Sequence, residues 1–179
     1  MEDLFLPFKT NAEAIGAKVY RGSSLDEVRQ QLGEILHSLK ASKVAVARSS
    51  IIDRLELDAL SGEDLTLNYG NNLGLANAAD VGISEVDFGI SETGTLGLDS
   101  TDITKRLVSS LPLVHIALVR EERLIRTFAE SIALVNPSGG AGSFTFVTGP
   151  SRTSDIERVL TIGVHGPEEL HIIVVNEAN

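Results

Sequence analysis

Two short segments of this chain bring hydroxyls, glycines and charged groups together, and either could act on an anion. In the first, the apolar run Phe144–Thr148 delivers Gly149-Pro150, followed by Ser151, Arg152, Thr153, Ser154 and Asp155. A tight turn leading into a helix would aim unpaired N–H groups and a positive dipole end at a ligand. The hydroxyls of Ser151 and Thr153 and the guanidinium of Arg152 would then complete a site for a carboxylate or phosphate. The plainer alternative is that Ser154 caps the helix, Glu157 closes the capping box, and Arg152 pairs with an acid. The second segment is Ser91-Glu92-Thr93-Gly94-Thr95. Gly94 between Thr93 and Thr95 would let backbone amides approach a ligand, and a buried Glu92 would serve as nucleophile or general base. The pattern alone favours a turn between two short strands, its hydroxyls bonded to local backbone.

Other groups are candidates of lower specificity. His165, in Gly163-Val164-His165-Gly166-Pro167, is either a proton-transfer group or a hydrogen-bonded histidine shaping a turn. Asp99, Asp102, Lys105 and Arg106 form a mixed charge cluster that solvates a surface or lines a crevice, with Arg106 the member to test for ligand contact. His115 sits in an apolar run and reads as a hydrogen-bonded core residue. No metal site is expected, since His37 and His171 have no partner at ligand spacing. Ser138-Gly139-Gly140-Ala141-Gly142 precedes a strand instead of following one, which removes the dinucleotide reading.

The elements that must hold these groups follow from periodicity. Residues 1–10 read as a flexible arm, with a short helix around Asn11–Ala17 and an extended Lys18–Arg21. A helix is predicted from Ser24 to about Lys40, because Ser24 and Glu27 stand at capping-box spacing and Leu25, Val28, Leu32, Ile35, Leu36 and Leu39 share a face. Lys43–Ala47 is a short strand, and residues 61–79, rich in Gly and Asn, read as a loop with a short strand at Leu65–Leu67. Val81–Ser84, Phe88–Ser91 and Thr95–Leu98 are short extended pieces. Leu113–Val119 and Leu170–Val175 are near-continuous apolar runs of the kind covered on both faces, and Phe144–Thr148 is expected as a third central strand. Helices are predicted near Thr127–Val135 and Ser154–Leu160. The fold class is therefore α/β: one domain, residues 11–179, with a largely parallel sheet flanked by helices. Its site is expected off the carboxyl ends of the strands.

Composition narrows the function. A net charge of −10 repels phosphate backbones, so nucleic acid is not an expected partner. There are no cysteines, which excludes disulfides, thiolate metal ligation and a cysteine nucleophile within these 179 residues. The longest apolar runs are too short to span a bilayer. Met1–Thr10 carries Glu2 and Asp3 and no apolar core of signal length, and the expected compartment is the cytoplasm.

Three blocks occur together and in order: Ala79-Asp80-Val81-Gly82-Ile83-Ser84 through Glu92–Thr95, Leu111-Pro112-Leu113-Val114-His115-Ile116, and Gly149–Glu157 with Gly163–Pro167. Over about residues 11–175 the chain resembles the LUD-domain, or lactate-utilization, family in its C-type branch. The resemblance implies the fold of the ribose-phosphate isomerase, glucosamine-phosphate deaminase and CoA-transferase group. It also implies an accessory, ligand-binding subunit serving oxidation of L-lactate to pyruvate, with no cofactor of its own and iron–sulfur clusters in partner proteins. Two alternatives stay open: a stand-alone CoA-transferase- or isomerase-like enzyme using Glu92, and a regulatory domain that binds a small anionic molecule.

Overall fold

A computed structural model describes residues 3–70, 72–135, 142–154, 160–162 and 166–176. Its frame is a six-stranded parallel sheet built from β1 (Lys18–Gly22), β2 (Lys43–Val46), β3 (Thr66–Tyr69), β4 (Val81–Glu85), β7 (Val114–Arg120) and β12 (Glu169–Val175). The spatial order is β1-β12-β7-β4-β2-β3, and every neighbouring pair is parallel. The apolar runs of β7 and β12 stand at its centre, with seven registered pairs from Glu169↔Val114 to Val175↔Arg120. Covered on both faces, these strands have no use for polar alternation.

One face of the sheet is packed by helices α2 (Leu25–Ser38) and α3 (Ser50–Arg54). Ser24 caps α2 as predicted, accepting a bond from the Glu27 N–H at 3.2 Å, while the Glu27 carboxylate takes the Ser23 N–H at 2.8 Å. The opposite face is covered differently from expectation. Helix α1 (Phe5–Ala14), the short helix α4 (Leu73–Asn77) and helix α5 (Ile103–Ser110) pack there. They are joined by a second, four-stranded sheet, with β5 (Phe88–Ile90), β6 (Thr95–Asp99), β8 (Leu124–Ile125) and β9 (Phe144–Val147) in the order β8-β5-β6-β9. Helix α6 (Phe128–Val135) lies outside this sheet, with the Phe128 ring 5.0 Å from that of Phe146.

Four expectations are corrected. The arm read at residues 1–10 is helical from Phe5, and Phe8 is fully buried; Pro7 sits in the first turn, where its missing N–H costs no hydrogen bond. Residues 61–79 hold the short strand expected there, as β3 paired with β2 from Lys43↔Thr66 to Val46↔Tyr69, but the loop expected after it contains helix α4, capped by Asn72. Phe144–Thr148 is not a central strand: β9 is the edge of the second sheet, and its Phe-Thr-Phe-Val alternation is that of a half-covered strand. The helix predicted over Ser154–Leu160 is contradicted at both ends. There β10 (Arg152–Ser154) and β11 (Leu160–Ile162) pair antiparallel; residues 155–159 lie outside the described set.

Candidate functional site

Adjacent parallel strands whose connections leave toward opposite faces part at their carboxyl ends, and ligands of open α/β sheets bind in the resulting crevice. Here β2 leads into α3 on one face, while the neighbouring β4 leads into the second sheet on the other. At this point two charged residues stand directly at strand ends, Glu85 on β4 and Arg120 on β7. Arg120 donates from Nε to Glu85 Oε1 at 2.9 Å and from Nη2 to Ser50 Oγ at 2.7 Å, so α3, β4 and β7 are tied at one spot. Those two bonds use two of the five N–H donors of the guanidinium.

A cavity of about 970 Å³ opens above this triad. Its lining includes the polar side chains of Ser50, Glu85, Arg120, Asp87 and Lys105 and the apolar ones of Val86, Phe88, Leu134 and Phe144. Helix α5, capped by the Asp102 carboxylate on the Thr104 N–H at 2.8 Å, carries Lys105 to within 3.4 Å of Asp87 Oδ1. Asp87 also accepts the Asp99 N–H at 2.7 Å. The Asp99 carboxylate, bonded by the Thr101 N–H and hydroxyl and facing Lys105, is held below the usual carboxylate range. Acids and bases both line the cavity, paired as Arg120–Glu85 and Lys105–Asp87, instead of forming one field. Such a lining suits a molecule with both an anionic group and a hydroxyl: guanidinium and ammonium donors for the first, a carboxylate acceptor for the second.

Of the charge cluster singled out in the sequence, Asp99 and Lys105 line this cavity. Asp102 is a helix cap, and Arg106 is exposed and outside the lining. The other sequence candidates lie elsewhere. Glu92 is exposed, and its Oε1 accepts the Phe128 N–H at 2.6 Å, closing the first turn of α6. Gly94, at φ +64°, presses so closely on α1 that a Cβ would stand 2.2 Å from the Ala12 nitrogen. The close approach expected for a ligand is thus made to the protein's own helix. Thr95 bonds Thr148 through their hydroxyls at 3.0 Å, and the buried Thr93 hydroxyl has no hydrogen-bond partner among the described residues.

At the second motif, Arg152–Ser154 is extended and pairs with Leu160–Ile162, so Ser151, Arg152 and Thr153 stand on a strand and its approach instead of in a helix first turn. Arg152 is exposed and donates to the Ile15 carbonyl at 2.8 Å; the Ser151 N–H bonds the Pro167 carbonyl at 2.8 Å; Thr153 lies within β10. His165 lies outside the described residues. His115 is buried, with Nε2 2.9 Å from Ser84 Oγ, as expected of a core histidine. Among the described residues no group of three or more His, Cys, Asp or Glu could hold a metal ion.

Sequence reasoning passed over Ser50, Glu85, Asp87 and Arg120. A usable signal existed for two of them, since Glu85 and Arg120 are the first charged residues after buried parallel runs. Glu92→Ala is expected to lower stability by about 1 kcal/mol through loss of the α6 cap, and Glu92→Gln by less. Thermal unfolding checks this, and equal melting temperatures for Glu92→Ala and the parent would remove the capping role.

The pattern of the LUD domain family matches residues 7–175. Lactate utilization protein C of Deinococcus radiodurans is 42% identical over 99 residues, covering 54% of this chain and 47% of that protein, so the match spans about half the length of this relative. Lactate utilization protein C 1 of Bacillus mycoides is 25% identical over 189 residues, covering 98% of this chain and 80% of that protein. Among solved structures, a DUF162 family protein from Deinococcus radiodurans superposes with a TM-score of 0.71 at 22% identity, over 96% of each chain. At that identity the likeness is one of fold.

Proposed function

Because this chain belongs to the LUD-domain family, we propose that it serves lactate utilization as a ligand-binding subunit, beside iron–sulfur partner proteins that oxidise L-lactate to pyruvate. The observation that carries the ligand-binding part is the Arg120–Glu85–Ser50 triad at the carboxyl ends of the strands, which lines one cavity together with Lys105. A 2-hydroxy acid matches that lining. Its carboxylate takes the remaining donors of Arg120 and the Lys105 ammonium, and its hydroxyl donates to Glu85. Such an acid fills only a small part of the 970 Å³, and the apolar walls leave room for a larger molecule beside it. The absence of cysteine supports electron transfer by a partner, since these residues offer no thiolate for a cluster.

The first test titrates L-lactate and pyruvate into the purified chain and into Lys105→Met, with affinity read by calorimetry or NMR. Lys105→Met is expected to weaken binding roughly tenfold, the scale of one charge-assisted hydrogen bond. Equal affinity in both proteins would overturn the assignment of the cavity. The second test gives the chain alone L-lactate and a redox dye. No dye reduction is expected, and reduction without a partner overturns the subunit reading.

A further inference from the structure

The cavity that holds the charged groups also presents carbon surface. Glu85, Val86, Asp87 and Phe88 are consecutive and all four line it, so each carboxylate on this stretch has an apolar side chain as its neighbour. The Phe88 ring is held in place: it stacks on the Phe144 ring at 5.4 Å between centroids and 12° between planes. It also presses on Gly97, where an added Cβ would collide with it. Phe144 lines the cavity from β9, and Leu134 lines it from the last turn of α6. Leu134 is 40% exposed, so this leucine meets water where it faces the cavity. A volume of 970 Å³ stands near the top of the range for small-molecule pockets, about 300–1,000 Å³.

Resting on the assignment of this cavity to a 2-hydroxy acid, we propose that its preferred ligand carries a larger apolar side chain than lactate, branched aliphatic or aromatic. The carboxylate and hydroxyl of such an acid engage Arg120, Lys105 and Glu85, and its side chain lies against Val86, Phe88, Leu134 and Phe144. L-Lactate has a single methyl group as its side chain and leaves most of that apolar lining in contact with water. Covering it with a ligand's own apolar surface removes both from water, which is favourable in proportion to the area covered. The four apolar residues offer no side-chain hydrogen bond, so a charged or hydroxylated side chain would lose its hydration against them without compensation. The triad thus selects the head of the molecule, and the apolar lining selects its side chain.

Calorimetry on the full chain with L-lactate, L-2-hydroxybutyrate, L-2-hydroxyisocaproate and L-phenyllactate tests the side chain directly. Affinity is expected to rise roughly threefold for each methylene added, the scale of transferring one such group out of water, with phenyllactate at least roughly tenfold above lactate. Leu134→Ser removes apolar surface from a side chain that is already 40% exposed, so the parental melting temperature is expected. In that variant the ratio of phenyllactate to lactate affinity is expected to fall by roughly fivefold. Ile132→Ser, on the same helix and outside the lining, is expected to keep the parental ratio. Lactate binding with an affinity that ignores side-chain length overturns this proposal alone and leaves the cavity assigned to lactate. A steep series unchanged by Leu134→Ser also overturns it, because the apolar contact would lie elsewhere. Binding of none of the four acids overturns both this proposal and the ligand-binding reading it rests on.

Discussion

Gly82→Ala is expected to destabilise the protein by about 3 kcal/mol or more, a drop in melting temperature of roughly 6–12 °C for a domain of this size. Gly82 lies in β4 beneath α5, and a Cβ there would stand 2.0 Å from the Val108 carbonyl oxygen and 3.1 Å from Pro112 Cγ. The obstruction is backbone, and Val108 is itself fully buried, so no side-chain rotation relieves it. Helix α5 would have to retreat by roughly 1 Å from a close-packed interior, with the loss of its buried contacts. The same helix carries Lys105 to the cavity, so a folded remnant of Gly82→Ala should also bind a carboxylate less tightly. Thermal unfolding of parent and variant decides the first point, and a melting temperature within about 2 °C of the parent's would mean that α5 seats without this close approach.

Acidification should produce the second large effect, through His115. This ring, on the central strand β7, is wholly buried, one nitrogen bonded to Ser84 and the other without a partner among the described residues, and burial lowers its pKa from 6.5 to about 4. The unfolded chain takes up the proton near pH 6.5, whereas the folded chain resists until about pH 4. Stability from this group is therefore complete above pH 6.5 and is lost as the pH falls toward 4, by roughly 3 kcal/mol in all. His171 is shifted in the same direction by burial, although the Glu169 carboxylate beside it opposes the shift, so the parent's slope contains both. His115→Gln separates them, since glutamine keeps a hydrogen-bonding group near Ser84 and cannot titrate. Urea unfolding at several pH values should show a clearly shallower slope between pH 6.5 and 4.5 in that variant. Parallel slopes would show that His115 is protonated in the fold at no such cost.

Much of the fold was legible because its signals are local. The Ser24–Glu27 cap and the apolar stripe of α2 lie within a few residues of each other, and both form as read. The runs that became β7 and β12 announce burial on both faces by their composition alone. Local reading failed where a neighbour distant in sequence decides the outcome. Residues 5–14 form a helix because Phe8 has a core to enter, and Leu73–Asn77 forms one because Ala76 packs with Ala45 and Val108.

The site shows the same division. From sequence came the α/β class, the expectation of a carboxyl-end crevice, the lack of any cysteine, and Asp99 and Lys105 as part of one charge cluster. Tertiary structure alone decided the rest. Arg120 meets Glu85 across 35 residues and Ser50 across 70, separations created by parallel pairing and its long crossovers, which leave no spacing to read in the chain. It also decided how the two conspicuous motifs are used. Glu92 is engaged by the first turn of α6, Gly94 is pressed onto α1, and Arg152 is bonded to the end of that same helix at Ile15. Hydroxyls, glycines and charges at close spacing specify what a segment is able to bind. Packing specifies whether that capacity faces a ligand or is consumed by the protein's own backbone, which must satisfy its donors and acceptors wherever water is excluded.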